Sequence, residues 1–294
     1  MRTRRTLRSI VGPALLVGLV AGCSSPGAGA GSTAPAATPS RAAPPTIAVL
    51  PAGVVGAPGD LGPLVHVAAD GDRTTVRGFD RTTRALLGTV AVDGSWVLPV
   101  VVPGSGPDGV TTGGSVVLAE KAPAAGRSRF TVLRAPFTQP PHLVDLAGAF
   151  EFDALSPDGT RLYLVEHLPP KGSQHYQVRW YDLAADRLDE AVVVDKSNIG
   201  EWMAGHPVSR VTSLDGAVVA TMYERSGGEP FVHVLHTREI YAQCIDLPES
   251  LAGRGFTLGG SIEKGLVVTD AKGRVPFLVD LTDGRVTRGP DPVG

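Results

Sequence analysis

The chain has 294 residues, 27 of them basic and 29 acidic, for a formal net charge of −2, and 43% of its residues are apolar. That length supports one large domain or two small ones. The absence of a basic excess argues against a nucleic-acid partner, whose phosphates would need a cationic surface to displace their counterions.

The N-terminus has three segments in a meaningful order. Arg2, Arg4, Arg5 and Arg8 form a basic start, an apolar run extends from Ile10 to Val20, and small residues follow. This is the layout of a secretory signal, and the run is about half the roughly 20 residues a membrane-spanning helix needs. Val20-Ala21-Gly22-Cys23 resembles the lipobox of bacterial lipoproteins. The resemblance implies that residues 1–22 are removed and that Cys23 is acylated, with a fatty chain of the palmitate type. Thr3-Arg4-Arg5-Thr6-Leu7-Arg8 loosely resembles a twin-arginine export signal but lacks its second bulky apolar residue. Removing residues 1–22 takes away four arginines and no acid, leaving 23 basic against 29 acidic residues, a net charge of −6. The membrane contact expected is therefore the acyl group and not an electrostatic grip on anionic lipid.

Residues 23–45 contain the lipidated cysteine and then almost only Pro, Ala, Gly, Ser and Thr. Such a segment has little to bury and is expected to be a disordered tether, with a root-mean-square span of about 25 Å. With Cys23 acylated through sulfur, Cys244 has no disulfide partner. In Ala242-Gln243-Cys244-Ile245-Asp246-Leu247 it reads as a small hydrophobe on a strand.

Residues 46–294 read as all-β. Apolar bursts of strand length include Val97–Val102, Ser115–Leu118, Phe130–Leu133, Arg161–Val165, Val178–Leu183 and Val218–Tyr223, each bounded by Gly, Pro, Asp or Ser. A turn signal recurs. It is clearest in Ser156-Pro157-Asp158-Gly159 and Ser213-Leu214-Asp215-Gly216, with degenerate copies at Ser105–Gly109, Ser261–Gly265 and Pro58–Asp60. Its acids fall at 60, 108, 158, 215 and 263. A second strand keeps the same beat, in Val76–Asp80, Phe130–Leu133, Val178–Asp182, Phe231–Leu235 and Val275–Asp280. A shared period near 50 predicts a β-propeller of about five four-stranded blades, with the turn signal between each blade's first and second strands. Its role is structural: Pro sets φ, and Asp and Gly accept the tight turn.

Leu155-Ser156-Pro157-Asp158-Gly159-Thr160-Arg161-Leu162-Tyr163 resembles the signature of TolB-like, YVTN and lactonase-type propellers. The segment Gly205–Leu247, with Pro230–Leu235 and Cys244–Pro248, is similar to actinobacterial propeller lipoproteins of unassigned function. The resemblance implies the fold and no activity, and none of those families' functional residues has a match to carry over.

The candidate site is the long connection Asp195–Pro207, where Glu201, Trp202 and His206 combine an acid, an aromatic and an imidazole. Loops Leu168–Gln174 and Glu224–Glu229 are expected on the same face. The competing reading has Trp202 and Met203 plugging the central channel. Seven scattered histidines give no metal site, no Gly-x-Ser-x-Gly elbow is present, and no acid is read as standing in a distinctive apolar run on an inner strand. No cofactor or catalytic residue is expected. The reading is a lipid-anchored, extracytoplasmic, monomeric propeller that binds an envelope protein or a small or glycan ligand. The alternative is a hydrolase or lactonase acting at the channel mouth. Substituting Cys23→Ala should abolish incorporation of labelled palmitate and move the protein from the membrane to the soluble fraction, as read by fractionation and autoradiography.

Overall fold

Val116-Val117-Leu118, Leu162-Tyr163-Leu164-Val165 and Phe231-Val232-His233-Val234-Leu235 are almost continuously apolar, and all are buried. A strand sends successive side chains to opposite faces, so such runs require a sheet covered on both sides. The computed structural model describes residues 49–170, 175–193 and 203–289, which lie in the unit Thr46–Gly294. They form a β-propeller of five antiparallel sheets, each built from consecutive strands.

The first blade is β1 (Val55–Gly56), β2 (Leu64–Asp70), β3 (Arg73–Phe79) and β4 (Leu86–Asp93). The second is β5 (Trp96–Val97), β6 (Ser115–Glu120), β7 (Arg127–Arg134) and β8 (His142–Ala147). The third is β9 (Phe150–Leu155), β10 (Arg161–His167), β11 (His175–Asp182) and β12 (Arg187–Leu188), with β13 (Met203–Ala204) also paired to β11. The fourth is β14 (His206–Thr212), β15 (Val218–Glu224), β16 (Phe231–His236) and β17 (Tyr241–Asp246). The fifth is β18 (Thr257–Ser261), β19 (Gly265–Thr269), β20 (Phe277–Val279) and β21 (Val286–Arg288). The second repeated sequence signal is the third strand of every blade.

Four apolar clusters hold successive blades together. Val65, Val76 and Val92 of the first blade meet Val116, Leu118 and Leu133 of the second. Phe130, Val132 and Val144 meet Phe152, Leu162 and Leu164. Tyr163, Tyr176 and Val178 meet Tyr223, Phe231 and Leu235. Met222, Val232 and Val234 meet Leu258, Leu266 and Val268. No such cluster of described residues joins the fifth blade to the first. The far face of the first blade instead carries Ala68, Thr75 and Arg77, and that of the fifth carries Thr257, Thr269 and Leu278.

Hydroxyl groups tie neighbouring blades where the links are short. Thr74 donates to the Gly94 carbonyl at 2.8 Å and accepts from the Trp96 amide at 2.9 Å. Ser128 does the same with Gly148 and Phe150, at 3.0 and 2.8 Å. Ser209 accepts the Leu258 amide at 2.7 Å between the fourth and fifth blades.

The turn signal is structural where it was sharpest. Asp158 accepts from the Ser156 hydroxyl at 2.6 Å and from the Thr160 amide at 3.0 Å, while Ser156 accepts the Arg161 amide. Asp215 and Ser213 repeat the pattern at the fourth blade. The hydrogen bond from Ser156 leads the effects that hold the Asp158 carboxyl at about 2, below its ordinary 3.8, against an opposing effect of burial. A depressed pKa stabilises the fold above the ordinary value and loses that contribution as pH falls through the folded one. Asp158→Ala should therefore cost about 1 kcal/mol at neutral pH, by loss of local hydrogen bonds. The difference from the parent should vanish as pH drops from about 4 to about 2, as measured by denaturant midpoints.

Candidate functional site

Two strands are interrupted, and the interruptions decide where a ligand could sit. In the second blade, Trp96 and Val97 pair with Glu120 and Ala119, and Val110 pairs with Val116. Between them the innermost strand departs over residues 98–109. Val97–Val102, expected to be one strand, is therefore mostly loop. Ser105-Gly106-Pro107-Asp108-Gly109, read as the turn into the second strand, lies in this loop. The true turn is Thr111–Ser115, where Thr111 Oγ1 accepts the Ser115 amide at 3.0 Å. The same residues suit both roles, because Pro, Asp and Gly permit tight turns anywhere on the backbone.

The loop is closed at its base. The Asp108 amide donates to the Pro99 carbonyl at 2.7 Å, and Asp108 Oδ2 accepts the Val101 amide at 3.0 Å. Gly109 brings the chain back to the sheet with φ of 87°. A Cβ there would stand 2.6 Å from the Val117 carbonyl oxygen and 2.9 Å from Pro99 Cδ. Compact loops with closed ends are frequently functional. Here a recess lies on each side of the loop. On one side Leu98–Val101 face Phe150 and Phe152 across a recess of roughly 390 Å3. On the other, Val102–Asp108 face Val208–Arg210 of β14 across an open recess of roughly 500 Å3.

Next to that open recess is a cavity of roughly 210 Å3. Four blades supply its walls, including Pro58, Asp108, Thr112, Asp153, Arg210 and Thr212. Asp153 is the residue the sequence reading passed over: an acid among Phe152, Ala154 and Leu155 on an inner strand. The pairing of β9 with β10 slips between Tyr163 and Leu164, which leaves Asp153 as the extra residue of a β-bulge. A bulge redirects a side chain and frees backbone groups from the ladder.

Arg210 uses both consequences. Its Nη1 donates to Asp153 Oδ1 at 2.9 Å, and its Nη2 donates to the Asp153 carbonyl. The side chains are only 9% and 2% exposed. Asp153 Oδ2 has no hydrogen-bond partner among the described residues. Tyr223 lies behind the pair, stacked on Tyr176 at 5.1 Å and on Phe231 at 5.3 Å. Burial first, and then the Asp153 charge, pushes the Tyr223 phenol well above its ordinary value. It stays neutral, so the ion pair supplies the fixed charge at this end of the axis.

Glu201 and Trp202 lie outside the described residues, and so do residues 171–174 of the Leu168–Gln174 loop. The flanks of the long connection are described. Val193 pairs with Val178 and Met203 with Tyr176, on the outer edge of β11, and the chain then enters β14 at His206. Met203 packs into the cluster between the third and fourth blades and does not plug the channel. His206 is exposed at the first position of β14, 3.8 Å from Glu224. Thr212, which lines the cavity, is at the last position of the same strand. The two are therefore separated by about 20 Å.

His167 is paired in register with Tyr176 and lies 3.2 Å from Glu151. Contact with Glu151 raises His167, and His167 lowers Glu151. Cys244 is partly buried, and its Sγ is 3.8 Å from Nδ1 of His233, its cross-strand partner. No group of three or more His, Cys, Asp or Glu among the described residues is arranged to hold a metal ion.

The fold defines the protein as a β-propeller. No protein-family model matches the chain, and no curated protein does. Among solved structures it is similar to TolB from Acinetobacter baumannii, at 15% identity and a TM-score of 0.36, covering 76% of this chain and 55% of that one. It is also similar to a putative TolB from Agrobacterium tumefaciens, at 15% identity and 0.43, covering 80% and 78%. A third is the β-propeller domain of the trilobed protease from Pyrococcus furiosus, at 14% identity and 0.41, covering 77% and 63%. The chain spans little more than half the length of the Acinetobacter protein. These likenesses are of fold alone.

Removing one member of a buried pair strands the other charge. Arg210→Met and Asp153→Leu should each cost about 3 kcal/mol, whereas the double variant should recover most of that loss. Urea unfolding of the three variants measures the cycle.

Proposed function

We propose that this chain is a lipid-anchored, extracytoplasmic binding protein, and that its ligand site is the cavity at the propeller axis beside the Leu98–Asp108 loop. One observation supports this above the rest. Asp153 and Arg210 hold each other beside a cavity to which four blades contribute, with hydroxyls and proline rings in its wall. A concave site with a few fixed polar groups on a rigid frame is the general form of a small-molecule site. Because β9, β14 and the loop position those groups in advance, a ligand has little ordering cost to meet there.

The ligand class is a small polar or glycan molecule reached from outside the cytoplasmic membrane. Contact with an envelope protein through Glu201, Trp202 and His206 is a second surface, proposed from sequence, with His206 exposed at the other end of β14. The anchor at Cys23 and the tether of residues 24–45 supply the location.

Thr212 lines the cavity without joining the ion pair. A ligand at about 100 times its Kd stabilises the protein by about 2.7 kcal/mol. Thermal unfolding against fractions of envelope-derived small molecules and glycans should therefore find one that raises Tm by several degrees. Thr212→Phe should fold and lose that rise. A rise that survives Thr212→Phe would place the site elsewhere.

A further inference from the structure

The charge on the cavity wall narrows the ligand further, resting on the reading of the axial cavity as a binding site. Three ionisable side chains line it: Asp108, Asp153 and Arg210. The Arg210 guanidinium is committed to Asp153, through Oδ1 and through the backbone carbonyl. An incoming anion therefore finds no uncommitted cation among the described residues of the wall. Asp108 has no such counter-charge among the described residues. Its Oδ2 is fixed by the Val101 amide at 3.0 Å, and no donor among the described residues reaches its Oδ1.

Asp153 points the same way independently. It is 1% exposed, and its Oδ2 is buried without a partner among the described residues. Buried carboxylate oxygens ordinarily have donors, and one without is a place where a further group belongs. The wall thus has a surplus of one negative charge, and Asp108 Oδ1 lacks a donor among the described residues. Beside the acids Thr112 and Thr212 carry hydroxyls, which donate or accept as required, while those of Thr111 and Ser213 are committed within their own turns. At roughly 210 Å3, the cavity is sized for a small ligand.

We propose that the axial cavity selects small, hydroxylated ligands that carry one protonated amine, such as a single amino-sugar ring, over neutral or anionic ligands of the same size. An ammonium group supplies the missing positive charge and up to three donors. A neutral ring covers Asp108 without compensating it, and an acid adds repulsion in a site of lowered dielectric. The Leu98–Asp108 loop carries Asp108 and closes this wall of the site.

Three probes share one ring and differ in charge: glucosamine, glucose and glucuronate. Calorimetry on the detergent-solubilised full chain should give glucosamine at least about tenfold tighter than glucose, with glucuronate weaker still. Asp108→Asn keeps an oxygen for the Val101 amide and removes the charge. It should bring glucosamine within about twofold of glucose without lowering Tm. Ionic strength provides a measurement that needs no variant. Between about 0.02 and about 0.5 M salt, glucosamine binding should weaken and glucose binding should not. Glucose or glucuronate binding as tightly as glucosamine overturns the amine selection and leaves the axial binding site standing. If no probe binds at any salt concentration, and no envelope fraction raises Tm, both readings fall.

Discussion

A four-stranded sheet with two apolar faces cannot be left alone in water, and this constraint governs the molecule. Each middle blade has Val, Leu, Phe or Tyr on both faces, and burying one such side chain contributes about 1.5–3 kcal/mol. The solution is to stack blades so that each covers its neighbour. The four clusters that result hold the inner strands at fixed positions around an axis. Groups on those strands are then placed by the packing of whole sheets and not by their local sequence.

That packing explains how a charged pair can exist at the axis. Asp153 and Arg210 are 57 residues apart, on the inner strands of adjacent blades. Desolvating two charges is costly and is offset only by close, multiply bonded geometry. The bulge in β9 supplies that geometry by turning out both the Asp153 side chain and its carbonyl. The hydroxyl staples at Thr74, Ser128 and Ser209 act on a smaller scale. Each satisfies backbone groups where the chain passes between blades, or where one inner strand meets the next.

Much of the frame was legible in the residues. The third strands, from Val76–Asp80 to Val275–Asp280, were visible because a strand with two buried faces reads as an apolar run. The turns at Asp158 and Asp215 were visible because their hydrogen bonds are local. The misreadings share a cause. Ser105–Gly109 has the composition of a turn, and it does turn, but within a loop inserted into an inner strand. The long connection around Glu201 and Trp202 does join the third blade to the fourth, and Val193 and Met203 hold its described flanks on the outer edge of β11. Local chemistry specifies a bend and not the strand from which the chain departs.

By itself the sequence determined the blade period, the all-strand class, the structural role of the Ser-Pro-Asp-Gly turn, and an N-terminus that resembles a lipoprotein signal. All four follow from interactions within a few residues or from a repeated pattern. Only the tertiary structure decided which acid mattered. Asp153 differs from the other carboxylates because a one-residue slip in register points it at an arginine on the next blade. Asp108 differs because its loop brings it to the same cavity. Those are relations between distant parts of the chain, which exist only once the sheets have packed.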